Sequence, residues 1–217
     1  MIPRQAALPI AVATLALLAG CAKSGDIDVS SGVGITAVRS ACPAVGVPAG
    51  TGDITLFDPA NSRDATAIDV VADITNVRAT CDDSAADVLS TITFDVRARR
   101  ARAEGPRDVV LPYFITIVRG GSSVTAKRIG RVAVHFDAGK LIGSTSAQAT
   151  ASVNRAAATL PDKVRDKLTR KRKAGQDDAA IDPLSAPDVR EAVLSASFEA
   201  LVGFQLTEDQ LKYNVQR

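Results

Sequence analysis

Val88-Leu89-Ser90-Thr91-Ile92-Thr93-Phe94-Asp95-Val96-Arg97-Ala98-Arg99 is the stretch that decides the fold. Ile92, Phe94, Val96 and Ala98 fall on one side of an extended chain. Thr91, Thr93, Asp95, Arg97 and Arg99 fall on the other. A side-chain period of two marks a strand with one buried face. Upstream, Ile68, Val70, Ala72 and Ile74 alternate with Asp69, Val71, Asp73 and Thr75 in the same way, and Asn76 bends the chain before Val77 to Cys81.

Working outward, further short β-prone segments appear between turn signals. Ile35 to Cys42 is stopped by Pro43, and Asp53 to Phe57 by Asp58-Pro59. Val109 to Val118 carries Pro112, which lacks an amide donor and argues for an edge or a bulge. Gly120-Gly121 suits a tight hairpin turn. Ser123 to Phe136 is the return strand, with a disruption expected at Gly130. Asp137-Ala138-Gly139 closes it, and Thr145 to Ala156 is a further candidate. No strand-helix-strand rhythm appears, so these runs favour two packed antiparallel sheets. The expected fold is mainly β, an antiparallel β-sandwich of immunoglobulin- or fibronectin-like type. It rests on strand number and alternation, because the Trp marker of immunoglobulin domains is absent.

The chain changes character after Leu160. Residues 162–173 are strongly basic, and 175–183 are acidic and turn-rich. A charged, partly helical insertion is expected over about 161–196, beginning with a helix after Pro161. Ser185 is the expected cap of a second helix through Ala196, with Pro187 in its first turn. Phe198, Ala200, Val202, Phe204 and Leu206 alternate as a terminal strand, and a helix running on from Pro187 through Leu201 is the rival reading. Thr207 and Gln210 have the spacing of a capping box at the head of a last helical turn.

Six basic side chains make the insertion a candidate contact for phosphate-bearing lipid or an acidic partner: Arg165, Lys167, Arg170, Lys171, Arg172 and Lys173. Asp177, Asp178 and Asp182 are close enough in sequence to neutralise some of that charge. His135 is the only histidine, and no motif for a nucleophile, a zinc site or a phosphate loop accompanies it. It reads as a surface or edge-strand residue rather than a general base. Asp69, Asp73 and Asp95 read as a solvated strand face rather than a hydrolytic pair. Asp82, Asp83 and Asp87 lack the ligand pattern of a calcium loop. No catalytic residue, metal site or cofactor is expected.

The N-terminus sets the compartment. Arg4 is the one charge before an apolar run of about 13 residues from Leu8, too short to span a bilayer, for which about 20 are needed. The run ends in Leu17-Leu18-Ala19-Gly20-Cys21. This resembles the bacterial lipoprotein signal, whose lipobox ends in Leu-Ala-Gly-Cys. The resemblance implies cleavage of a signal peptide spanning 1–20, and acylation of Cys21 on its thiol and its new amine. Two or more acyl chains suffice to hold a domain at a membrane. Ala22 follows, where Asp would favour the inner membrane in enterobacterial lipoproteins, so the outer membrane is expected. The stretch from Gly203-Phe204-Gln205-Leu206-Thr207 to Leu211-Lys212-Tyr213-Asn214 resembles the endings of uncharacterised alphaproteobacterial envelope lipoproteins.

Residues 21–34 are then the lipidated cysteine and a flexible tether, and 35–217 the β domain. Cleavage leaves 197 residues and removes Arg4, so the mature chain carries 25 basic and 24 acidic side chains. So even a balance, with no Trp and two Tyr, supplies neither the field nor the stacking platforms for nucleic acid. With Cys21 acylated, Cys42 and Cys81 remain, and an oxidising compartment favours their pairing. The leading functional expectation is a non-enzymatic lipoprotein facing the periplasm. Its β domain serves as a protein-interaction or structural subunit of an envelope assembly. The alternative is a periplasmic carbohydrate-binding protein or hydrolase with a site built from loops. A cleft gathering His135 with two carboxylates would favour the alternative, and a broad apolar surface opposite the tether would favour the first.

Overall fold

The computed structural model describes residues 40–173, 175–177 and 180–216. The leader, Cys21 and the tether lie outside the described residues. The described residues up to Arg170 and from Ile181 onward belong to one compact unit, and 171–180 belong to another and are treated separately.

The described residues of the large unit form eight strands, β1 (Ala44–Gly46), β2 (Asp53–Phe57), β3 (Ile68–Asp82), β4 (Asp87–Arg100), β5 (Arg107–Arg119), β6 (Ser123–Phe136), β7 (Ile142–Asn154) and β8 (Phe198–Phe204). Three short helices, α1 (Asp162–Thr169), α2 (Pro187–Ser195) and α3 (Glu208–Gln216), are concentrated toward the C-terminus. The first sheet has the order β1-β8-β5-β6 and the second β2-β3-β4-β7. All pairings are antiparallel except that of β1 with β8.

One core joins the sheets. Ile54, Val70, Ile92, Phe94 and Val96 of the second sheet belong to the same buried cluster as Leu111, Val134, Phe136, Val202 and Phe204 of the first. Burying each such side chain stabilises the fold by roughly 1.5–3 kcal/mol. The Phe94 and Tyr113 rings meet edge to face across the layers, with centroids 5.2 Å apart. The expectation of a two-sheet, mainly β domain is met at this level. The finer immunoglobulin-like order does not follow from these pairings. β2, β3 and β4 are consecutive neighbours, whereas the immunoglobulin arrangement sets strands A, B, E and D side by side.

Several local expectations change. Of the strand expected over Ile35 to Cys42, residues 35–39 lie outside the described residues and 40–42 are irregular, so the first described strand is β1, after Pro43. The bend expected at Asn76 is a bulge within one continuous strand. Asn76 adopts a positive φ of 52° inside β3, where the register with β4 shifts. Asp95 accepts from the Asn76 amide at 2.9 Å, and Asn76 accepts from Arg78 Nε at 2.8 Å, which pins the bulge. Gly130 does not interrupt β6. A Cβ there would lie 2.5 Å from Cζ of Tyr113, so glycine admits the ring over the strand.

Pro112 lies in a central strand, not at an edge. Its carbonyl accepts from Gln205 N at 2.9 Å, on the β8 side. In an antiparallel ladder a residue's N–H and C=O point the same way. The missing donor of Pro112 therefore faces β8 where that strand ends, and the ladder to β6 loses nothing.

Between β7 and β8, α1 and α2 enclose a small second core of Leu168, Val189 and Val193 with Leu160, Val164 and Leu184 packed against it. The residue before α2 is Ala186, with no side-chain cap. Ser185 instead sits in a 3-10 turn capped by Asp182, whose carboxylate accepts from Leu184 N at 2.9 Å. α2 stops at Ser195, and β8 begins at Phe198, so the continuous helix is not formed. The Thr207–Gln210 capping box is present. Gln210 Oε1 accepts from Thr207 N at 2.9 Å, and Thr207 Oγ1 accepts from Gln210 N at 3.3 Å. α3 is held to β2 by an edge-to-face contact of Tyr213 with Phe57 and by Asn214, which donates to the carbonyls of Gly50 and Asp53.

Cys42 and Cys81 form the expected disulfide, with Cα atoms 6.1 Å apart. It links the segment entering β1, at one sheet, to β3 in the other. Ser40, the disulfide and the β3–β4 turn mark one end of the sandwich. Arg100, Arg107, Phe136 and Ile142 mark the far end.

Candidate functional site

The sequence-predicted residues are dispersed. Cys21 lies outside the described residues. In the large unit, Arg165 pairs with Asp162 at 2.8 Å on the surface of α1, and Lys167 pairs with Asp188 of α2 at 2.8 Å. Arg170 follows α1 and is exposed. In the other unit, Lys171 and Lys173 are exposed and Arg172 is buried. Arg165 and Lys167 are thus matched by carboxylates, and Arg172 is withdrawn from solvent.

The far end carries a charge-laced set of loops. His135 Nδ1 lies 2.7 Å from Asp108 across the β5–β6 ladder, and Nε2 lies 3.5 Å from Asp137. Asp108 raises the His135 pKa above its usual range through that hydrogen bond, and Asp137 adds to it. The histidine does gather two carboxylates, but all three side chains are more than half exposed, so no cleft encloses them. Among the described residues no nucleophile is hydrogen-bonded to the imidazole. This arrangement stabilises an imidazolium on the surface and does not prepare a base.

Asp69 departs from the solvated-face reading. It is 8% exposed and takes a bidentate ion pair from Arg107 at 2.8 and 2.6 Å, joining the two sheets. The guanidinium holds its carboxyl below the ordinary aspartate value against the opposing effect of burial. Asp95 accepts from Ser146 Oγ at 2.7 Å as well as from Asn76, and its pKa is lowered by those bonds.

Arg100, 3% exposed, donates to the carbonyls of Lys140, Gly105, Glu104 and Asp137 at 2.7–3.1 Å, and its guanidinium stacks on Phe136. Four carbonyls from two loops converge on one planar donor, which fixes the shape of that end. Nothing in the sequence marked Arg100 out, since it continues the alternation of a strand that bears arginine on its other face.

At the opposite end a cleft of about 1150 Å³ lies between the β3–β4 turn and α1, with Asp83, Asn154, Arg155, Thr159 and Arg165 among its walls. Arg155 is spent on the Asp83 carbonyl and Arg165 on Asp162. Among the described residues, no three His, Cys, Asp or Glu side chains are placed to hold a metal ion. The cleft brings together no set of groups that would perform chemistry.

The remaining feature is the outer strand of the β5–β6 hairpin. From Val109 to Val134 the sequence contains Arg119, Lys127, Arg128 and Arg131, and no carboxylate. Arg119 is engaged, donating to Ser195 O at 2.6 Å and stacking on Phe198. Lys127 lies over the Phe114 ring, with Nζ 4.9 Å from the centroid. Arg128 and Arg131 face solvent. Between these cations Val124 and Ile129 are 62% and 64% exposed.

Among the described residues β6 pairs with β5 alone, and its residues 123–129 are exposed on both faces. Pro112 fixes which backbone groups look outward. Even-numbered β5 residues from Pro112 to Thr116 face β8, so Tyr113 and Ile115 face β6, where their partners are Gly130 and Arg128. The N–H and C=O groups of Lys127, Ile129 and Arg131 therefore point away from the sheet. Further along, the outward carbonyl of His135 is covered by Gly143 of β7, where any Cβ would overlap it.

The hairpin is thus the candidate site, a backbone edge lined with cations and two bare aliphatic side chains. The acid-free run over 109–134 is visible in the sequence, but its place on an edge strand is not. No family model, curated protein or solved structure matches the chain.

Proposed function

We propose that the chain is a lipid-anchored envelope protein whose two-sheet domain binds a protein partner and performs no chemistry. The observation that carries this reading is the outer strand of the β5–β6 hairpin, which leaves an edge uncovered where bare aliphatic side chains and cations stand beside free backbone groups. Exposed apolar surface of this kind, rimmed by charge, is a mark of interaction sites. The lipobox and Cys21 supply the anchor in this reading, at the periplasmic side of an outer membrane, and the disulfide is in keeping with an oxidising compartment. The immunoglobulin- or fibronectin-like comparison enters as a mode of use, a stiff two-sheet body that presents edges and loops. The basic run from Arg165 to Lys173 is a second, weaker contact for phosphate-bearing lipid or an acidic partner.

Two experiments test it. Crosslinking in native membranes should recover a reproducible protein neighbour, and recovery of monomer alone would sink the interaction role. Cys21→Ala should abolish lipid labelling and release the protein from the membrane fraction. Unchanged retention would remove the anchor while leaving the interaction role standing.

A further inference from the structure

We infer that β6 is a strand-addition site that takes an extended, acidic segment of a partner protein as a further strand of the β1-β8-β5-β6 sheet. The inference rests on the interaction reading above and specifies its mode and the chemistry of the partner. Three observations converge on it. First, the outward backbone groups of Lys127, Ile129 and Arg131 have no partner among the described residues, and together they offer three donors and three acceptors in a row. Main-chain pairing of this kind supplies affinity in strand addition, and side chains at alternate positions supply specificity.

Second, those same residues place Lys127, Ile129 and Arg131 on the outer face of the sheet, in register with Thr116, Phe114 and Pro112 of β5. An incoming strand would set its own outward side chains beside a cation, an isoleucine and a cation. Opposite charges across neighbouring strands are favourable and like charges are not.

Third, the charge selects among occupants. A second copy pairing edge to edge would bring Lys127, Arg128 and Arg131 against their equivalents, the arrangement by which sheets avoid self-association. A carboxylate-bearing segment meets no acidic residue anywhere from Val109 to Val134. An anionic lipid surface would satisfy the cations but has no use for the backbone row. That difference makes the two occupants separable.

Proline makes the test specific. Ile129 N–H points outward, so Ile129→Pro removes a donor from the edge and none from the β5 ladder, the one setting in which a strand tolerates proline. The probe is a capped octapeptide of alternating Glu and Val, with its Lys-for-Glu counterpart as control. The readout is amide hydrogen exchange of the full folded domain.

Addition of the acidic peptide should slow exchange at Lys127, Ile129 and Arg131 at least tenfold. It should leave Arg128 and Gly130, already facing β5, nearly unchanged. The Lys peptide should give no protection. Ile129→Pro should keep the exchange pattern of the core and lose the response, and Lys127→Glu with Arg131→Glu should reverse the peptide preference. No protection by the acidic peptide, protection mapping elsewhere, or an unaltered response in Ile129→Pro would overturn the strand-addition mode. Binding to vesicles containing phosphatidylglycerol that survives Ile129→Pro, without a peptide response, would assign the edge to a membrane instead. Each of these failures leaves native-membrane crosslinking free to succeed at another surface.

Discussion

At the scale of single residues the far end is held by charge. Arg100 is buried against Phe136 with its donors spread over four carbonyls. Arg100→Leu leaves those carbonyls without their donor and should cost about 2–4 kcal/mol in denaturant unfolding. Arg100→Lys keeps the charge but cannot reproduce the fork, so it should recover less than half of that loss. Equal stability of Arg100→Lys and the parent would refute the role of the fork.

His135 offers a pH test. Its folded pKa is raised, chiefly by Asp108, so its protonated form is favoured in the native state. That contribution is present below the unfolded pKa and is lost as pH rises through the folded pKa. As the only histidine, it gives one titrating imidazole signal by NMR. Asp108→Asn should lower the midpoint, and an unmoved midpoint would mean the contact is not made. Asp69 runs the other way. Its pKa is lowered, so its stabilisation is full above the unfolded value and fades as pH falls through the folded one. Neither partnership was legible in the sequence. Asp69 and Arg107 stand 38 positions apart, as do strands of different sheets, and period-two alternation alone assigned Asp69 to water.

At the scale of elements, alternation was a good guide wherever one face is buried. The inner faces of β4 and β8 are those anticipated from Ile92, Phe94, Val96 and from Val202 and Phe204. It failed where long-range packing overrides local preference. β1 is three residues long and exists through its parallel pairing with β8. Gly130 looked like a breaker because the ring of Tyr113, which requires it, comes from another strand. Pro112 looked like an edge marker, although its nitrogen faces the place where β8 ends.

That ladder polarity yields a paired prediction. Ile129→Pro should change stability by less than about 1 kcal/mol, whereas Arg128→Pro, whose N–H faces β5, should cost about 3 kcal/mol or more. Thermal unfolding of the two variants measures the difference. Similar losses in both would contradict the assigned edge.

At the scale of the molecule, the Cys42–Cys81 bridge ties one sheet to the other across a sequence separation of 39 residues. On the loop-entropy model, Cys42→Ala with Cys81→Ala should cost about 4 kcal/mol, read from unfolding midpoints. Freshly isolated protein should show no thiol at either position until it is reduced. The even cysteine count made this bond legible once Cys21 was set aside for lipid. The free edge was not legible, because it depends on which of the described strands end a sheet.

Of the four edge strands, β6 and β7 are the long ones, and they differ in kind. The outward positions of β7 are Ser144, Ser146, Gln148, Thr150 and Ser152, all neutral, while those of β6 are Lys127, Ile129 and Arg131. A photocrosslinking side chain in place of Ile129, compared with one in place of Thr150, therefore tests the central claim in native membranes. The account predicts one reproducible protein adduct from position 129 and none from 150. Adducts to lipid alone, equal adducts from both positions, or uncrosslinked monomer from both would contradict it.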